Sequence, residues 1–164
     1  MEEEFYISLP AKSKDQSVAS LIRHALMSID TKGQPEQNIG IEHFYLINAY
    51  TNDDRPSMYV KYAPLDKDEI SRREENLGLR EKRNDAADEW PIVFAEDHHS
   101  GLAINRLEQR MPVDAEQGNA IKLLSATADT LGRLGEVDVK DLMLHNYLDD
   151  DGLERPYVAV YYAS

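Results

Sequence analysis

The densest run of reactive side chains is Glu96-Asp97-His98-His99-Ser100-Gly101. An imidazole can accept a proton near neutral pH, so a histidine here could serve as a general base with Ser100 as a nearby nucleophile. That chemistry needs convergent groups, and neighbours on an extended chain point to opposite sides. The run therefore reads as a solvated polar loop between a strand at Trp90–Ala95 and the segment that follows. The other histidines are His24, His43 and His145, and no His-Glu-x-x-His helix pattern occurs. No glycine-rich phosphate loop is present. Gly132-Arg133-Leu134-Gly135 instead has the form of a helix ending, with glycine beyond the last turn and arginine near the negative end of the dipole. With no cysteine in the chain, thiolate nucleophiles, cysteine metal sites and disulfides are excluded. No catalytic residue, metal or cofactor is assigned, and enzymatic activity is not expected.

The remaining chemistry-bearing residues lie in two acidic turns. One holds Tyr50, Asn52, Asp53 and Asp54; the other holds Tyr147, Asp149, Asp150 and Asp151. Three successive aspartates can attract calcium, but the alternation and distal glutamate of an EF-hand loop are missing. Tyrosine combines large apolar area with a hydroxyl and is enriched at recognition surfaces. Eight of the nine tyrosines fall in or beside these two hairpins. The eight residues of the two turns are the candidate partner-binding residues.

The elements that must position those turns recur. Ile39, Ile41, Phe44 and Leu46 match Val137, Val139, Leu142 and Leu144 at an offset of 98, and Asn48 matches Asn146. Each segment runs through a tyrosine and an acidic turn to Arg-Pro, at Arg55-Pro56 and Arg155-Pro156, and then into a strand, Ser57–Ala63 or Tyr157–Ala163, at an offset of 100. Upstream, Leu9-Pro10 matches Met111-Pro112, and Leu21-Ile22 matches Leu123-Leu124, at an offset of 102. Apolar residues at helical spacing predict helices from Gln16 to about Ile29 and from Gln117 to about Leu134. Alternation predicts strands at Glu4–Leu9 and roughly Ala103–Met111. In the later strands, Met58, Val60 and Tyr62 share one face, with Tyr59 and Lys61 on the other. The fold class is therefore α+β: a single domain with repeat one at 4–63, an insert at 64–101 and repeat two at 102–164, each repeat a β-α-β-β unit.

Such units can join into one extended sheet or two facing layers, with helices on one side. In element order the chain resembles the gyrase-inhibitor-like ligand-binding domains and the glyoxalase-like metal enzymes. The second resemblance implies a metal held by His, Gln or Glu on inward strand positions. Strands Ser57–Ala63 and Tyr157–Ala163 contain none of these, so no metal site follows. The insert predicts a charged helix over Asp66 to about Asp85 with a thin apolar stripe at Ile70 and Leu77, then the Trp90–Ala95 strand.

Composition narrows the partner. The formal net charge is −13, from 18 basic and 31 acidic residues. Phosphate affinity comes from lysine and arginine, so direct nucleic-acid binding and anionic membranes are not expected, whereas a basic protein surface would be attracted. No apolar run is long enough to cross a bilayer, and the acidic start Met1-Glu2-Glu3-Glu4 is unlike a secretory signal; the expected compartment is the cytoplasm. The leading expectation is a non-catalytic acidic protein-binding module, most concretely an inhibitor of immunity or anti-defence type that docks on a basic, nucleic-acid-handling partner. The alternative is a small-molecule-binding module or enzyme with a tyrosine-lined cleft between the repeats, edged by His98, His99 or His145. Neither reading fixes the oligomeric state.

Overall fold

Apolar-polar alternation and two amphipathic helical stretches dictate a sheet with one covered face. The computed structural model describes residues 2–47, 55–82, 92–99, 102–110, 119–146 and 155–163. Its elements run β1 (Glu3–Ile7), α1 (Val18–Met27), a 3-10 turn (Glu36–Asn38), β2 (Ile39–Ile47), β3 (Ser57–Pro64), α2 (Lys67–Lys82), β4 (Ile92–His99), β5 (Leu102–Arg110), α3 (Ala120–Leu134), β6 (Asp138–His145) and β7 (Tyr157–Ala163). The seven strands form one antiparallel sheet in the order β1-β3-β2-β6-β7-β5-β4. Of the two arrangements open to the sequence, the chain adopts the single extended sheet.

Both long apolar helices begin at polar caps. The Ser17 hydroxyl accepts the Ser20 amide at 3.2 Å, and Asp15 accepts the Ser17 amide at 2.9 Å and the Ser20 hydroxyl at 2.5 Å. Those bonds, the Ser20 hydroxyl first, hold the Asp15 carboxyl down at about 2. Asn119 accepts the Lys122 amide at the start of α3, so the first free N–H groups there are met. The helix ends at Gly135, whose φ of +82° is a conformation that side-chain-bearing residues avoid. Leu21, Ile22 and Ala25 of α1 and Leu123, Leu124, Ala128 and Leu131 of α3 then bury against one sheet face. That face is built from Phe44, Met58, Val60, Leu107, Leu142, Val158 and Val160. Tyr62 joins it with its hydroxyl accepting the Asp30 amide at 2.9 Å, so the buried phenol is satisfied.

The two halves correspond in register. Phe44 pairs with Val60 as Leu142 pairs with Val160, and Phe5 pairs with Val60 as Leu107 pairs with Val160. A bulge falls between Ile41 and His43 in β2 and between Val139 and Asp141 in β6. Where the halves meet, Tyr45 pairs with Met143, a pair that itself spans the 98-residue offset of the two hairpins. A two-fold axis between β2 and β6 would require that pairing.

The insert differs from expectation at one point. The strand predicted for Trp90–Ala95 is β4, and it continues through Glu96, Asp97, His98 and His99, which pair with Asn105, Ile104, Ala103 and Leu102. The polar run read as a loop is thus mostly edge strand, because β5 offers it a ladder of backbone partners that outweighs its weak strand propensity.

Candidate functional site

The eight residues singled out in the acidic turns, Tyr50, Asn52, Asp53, Asp54, Tyr147, Asp149, Asp150 and Asp151, lie outside the described residues. The strands that lead into the two turns are described. β2 ends at Ile47 and β6 at His145, and these strands run antiparallel. Continuing the Tyr45–Met143 register places His145 beside His43, four residues from the end of β2. At about 3.3 Å per residue the two exits stand roughly 13 Å apart along the sheet, and they head in opposite directions.

Between these exits lies the face of the sheet that α1 and α3 leave uncovered. Reading across it from β1, one row is Tyr6, Tyr59, Tyr45, Met143, Ala159 and Glu108. The first three form a ladder: the Tyr6 and Tyr59 rings are 4.8 Å apart and the Tyr59 and Tyr45 rings 5.0 Å. His43 sits against the same group, 6.2 Å from the Tyr59 ring. Tyr6 is 67 % exposed and Met143 40 %, so the row presents apolar area to solvent at these two positions, while Tyr59, Ala159 and Glu108 are buried. Tyr59 is held from beneath, its hydroxyl donating to Glu4 at 2.5 Å. That bond, with burial adding to it, pushes the Tyr59 phenol up to about 12. Lys61, next to Glu4 in register, bridges Glu2 and Glu42 at 3.4 Å each, and the Glu2 hydrogen bond above all raises its ammonium.

The other half of the face is organised around a carboxylate. Glu108, on β5, has a side chain only 9 % exposed and is gripped by Arg106 and by Arg110, the latter at 2.5 Å. Burial works to raise this carboxyl, but the two arginines outweigh it and hold Glu108 below the ordinary carboxylate value. Each arginine also lies over a tyrosine of β7: Arg106 is 5.7 Å from the Tyr161 ring centre and Arg110 is 5.6 Å from that of Tyr157. The Arg106 Nε donates to the Tyr161 hydroxyl at 3.0 Å, and His145 stacks on Tyr157 at 4.8 Å with the planes 13° apart. The small Ala159 lies between the two tyrosines on the strand.

A cleft of about 480 Å³ opens where β2 begins and β3 ends. Gly40, Ala63, Leu65, Arg72, Arg73 and Asn146 are among its lining residues. It draws on both halves and on α2, and among the described residues its lining holds no tyrosine. Tyr6, Tyr45, Tyr59, Tyr157 and Tyr161 lie on the open sheet face, as does His145, whereas Tyr62 and Tyr162 belong to the core under the helices.

Sequence reasoning missed two parts of this surface. Tyr6 is the one tyrosine outside the hairpins, and only the β1–β3 register brings it to the ladder. Arg106, Glu108 and Arg110 alternate at i, i+2, i+4, which on a strand places three charged groups on one face; that spacing was the available signal. Among the described residues no group of three or more His, Asp or Glu side chains is arranged to hold a metal ion, and no helix is long and apolar enough to cross a membrane. No family model, no curated protein and no solved structure matches the chain.

Proposed function

We propose that this chain is a non-catalytic binding module, made of two copies of a β-α-β-β unit, that docks on a protein partner carrying a basic surface. Its most concrete form is an inhibitor of immunity or anti-defence type that occludes a nucleic-acid-handling target. The observation that carries the reading is the tyrosine ladder Tyr6–Tyr59–Tyr45 on the open face, exposed at Tyr6, half-buried at Tyr45 and buried at Tyr59, and continued by the exposed Met143 across the junction of the halves. Tyrosine and methionine are enriched at interface cores, and an exposed apolar row on a monomer marks an interaction surface. The net charge of −13 supplies the attraction for a basic partner.

Affinity capture from the native host, repeated with Tyr6→Asp/Tyr45→Asp and with charge reversal at Asp149–Asp151, tests this. A stoichiometric protein partner that is lost with the ladder variant is the expected result. A wild-type chain that captures no partner at all would remove the reading.

The second reading, small-molecule binding, is favoured by the cleft at Gly40 and Asn146, whose volume falls within the range of ligand sites. Thermal-shift screening against metabolites separates the two. A stabilising compound whose effect vanishes on substitution of Arg72 and Arg73, and persists on substitution of the ladder, would favour the cleft.

A further inference from the structure

The open face is finished differently in its two halves. On the β5–β7 side each tyrosine carries its own guanidinium, Arg106 on Tyr161 and Arg110 on Tyr157, and Glu108 neutralises part of their charge. On the β1–β3 side the register-equivalent positions of those arginines are Glu4, beside Lys61, and Ser8, whose hydroxyl bonds that of Ser57 at 2.8 Å. No arginine lies over Tyr6, Tyr59 or Tyr45 among the described residues. The local charge is inverted as well. Glu2, Glu4 and Glu42 border the ladder, and the nearby Lys61 is already shared between Glu2 and Glu42.

We infer that Tyr6 and Tyr45, the rings that flank the buried Tyr59, form a receptor for arginine side chains supplied by the partner protein. This rests on the docking reading above and names the chemistry of the docked group. A cation is attracted to the negative face of an aromatic ring within about 6 Å of its centre. The chain's own arginines sit on tyrosines at 5.6 and 5.7 Å on this same sheet face, so the backbone geometry suits the contact. A phenol that donates to a carboxylate, as Tyr59 does to Glu4, has its ring made more electron-rich, which strengthens the attraction. The bordering carboxylates offer the fork of a guanidinium its hydrogen-bond acceptors. A planar, weakly hydrated guanidinium stacks on a ring where a compact, strongly hydrated ammonium does not, so arginine is favoured over lysine. Phosphate-bearing strands are opposed by the same carboxylates.

The test uses the full chain and two labelled peptides, an alternating Gly-Arg sequence and its Gly-Lys twin, with binding followed by fluorescence anisotropy at physiological salt. Each exposed ring contact is worth about a two- to five-fold change in affinity for either cation, and stacking with bidentate bonding favours the guanidinium, so over two rings the arginine peptide is expected to bind about three- to five-fold more tightly than its lysine twin. Tyr6→Ala/Tyr45→Ala is expected to abolish that preference, leaving equal, salt-sensitive binding of both peptides. Tyr6→Phe/Tyr45→Phe keeps the rings and is expected to retain it, which guards against a variant that merely misfolds. Equal affinity of the wild type for the two peptides would overturn the inference, as would a preference that survives removal of both rings. So would tighter binding of an oligothymidylate than of either peptide, or a wild-type dimer in light scattering that the alanine variant dissolves. If the arginine preference is absent while the chain still captures a host protein, the ladder inference fails and the docking reading stands. If no host protein is captured, the docking reading fails whatever the peptides do.

Discussion

Replacing Glu108 with glutamine isolates the electrostatic core of the open face. The substitution keeps size and shape, but the amide can accept from one arginine only and turns its own N–H groups toward the other. Glu108 is nearly buried, and its bonds to Arg106 and Arg110 are charge-assisted, a type worth about 1.5–3 kcal/mol each when fully enclosed. The arginine side chains are 28 % and 53 % exposed, so both recover water when released. That reduces the loss to about 2 kcal/mol in total. For a chain of this length about 2 kcal/mol corresponds to a fall in Tm of roughly 4–8 °C. Urea unfolding at pH 7 is the assay, repeated as the pH is lowered. The folded Glu108 carboxyl lies below its ordinary value of 4.5, so its stabilisation is complete above that value and is lost as pH falls through the folded one. The gap between wild type and Glu108→Gln is therefore expected at neutral pH and expected to close in acid. A gap of zero at pH 7, or one that does not narrow as the pH is lowered, would refute the reasoning. The joint replacement Arg106→Met/Glu108→Leu/Arg110→Met is expected to be far less damaging than Glu108→Gln, since it leaves no uncompensated charge.

Three further outcomes follow from single contacts. Asn146 donates its amide to the Ile41 and Glu42 carbonyls at 3.2 Å each, at the bulge of β2; Asn146→Ala should cost about 1 kcal/mol by urea unfolding, with loss of amide-exchange protection centred on the bulge. Gly135 has open space around a built Cβ but a φ of +82° and ψ of −146°, so Gly135→Ala meets backbone strain alone and should lower stability by about 1–3 kcal/mol. The Tyr59 phenol should ionise at about 12 in an absorbance titration of phenolate; its stabilising bond to Glu4 holds below the ordinary tyrosine range and is lost as pH rises toward that value, and both Tyr59→Phe and Glu4→Gln should erase this late step.

The sheet and its covering helices were legible because period decides them: residues alternating at two make β3 and β7, and residues recurring at 3–4 make α1 and α3. The strings shared by the two hairpins were legible too, and the structure gives several of them fastening roles. The Arg55 guanidinium of the first Arg-Pro donates to the carbonyl of Leu9, in the first Leu-Pro, and so ties the start of β3 to the end of β1. Asn146 ties β6 to the bulge of β2. Such residues recur because they hold the scaffold, so they announce fold rather than function. The open face was not legible. Its row Tyr6–Tyr59–Tyr45–Met143 draws on four strands separated by as much as 137 residues, and joining them needs the β2–β6 pairing, which no local pattern encodes. The extension of β4 through Glu96–His99 escaped for a related reason: its strand character comes from pairing with β5, while its own composition is that of a turn.

The inner and outer faces of the two halves part company in a way that bears on stoichiometry. At most register-equivalent inner positions the residues are apolar in both halves, Phe5 and Leu107, Met58 and Val158, Val60 and Val160, Phe44 and Leu142, while Ile7 stands against the fully buried Gln109, which accepts from the Thr130 hydroxyl. Packing under α1 and α3 favours apolar residues there, because a close-packed core is costly to leave unfilled or to fill with unpaired polar groups. At the outer positions the chemistry is rewritten. Glu4 stands against Arg106, Tyr6 against Glu108, Tyr59 against Ala159 and Lys61 against Tyr161. The β5–β7 side thereby satisfies itself, each tyrosine covered by an arginine and both arginines bound to one carboxylate. On the β1–β3 side Tyr6 stays exposed at the end of the ladder, Tyr59 is buried between its neighbours, no arginine among the described residues lies over the rings, and the border is acidic. On the docking proposal, a face symmetrical about the Tyr45–Met143 pair would offer two equal places, whereas these unlike halves predict a complex of one chain with one partner; a complex of two partners per chain in light scattering would refute that.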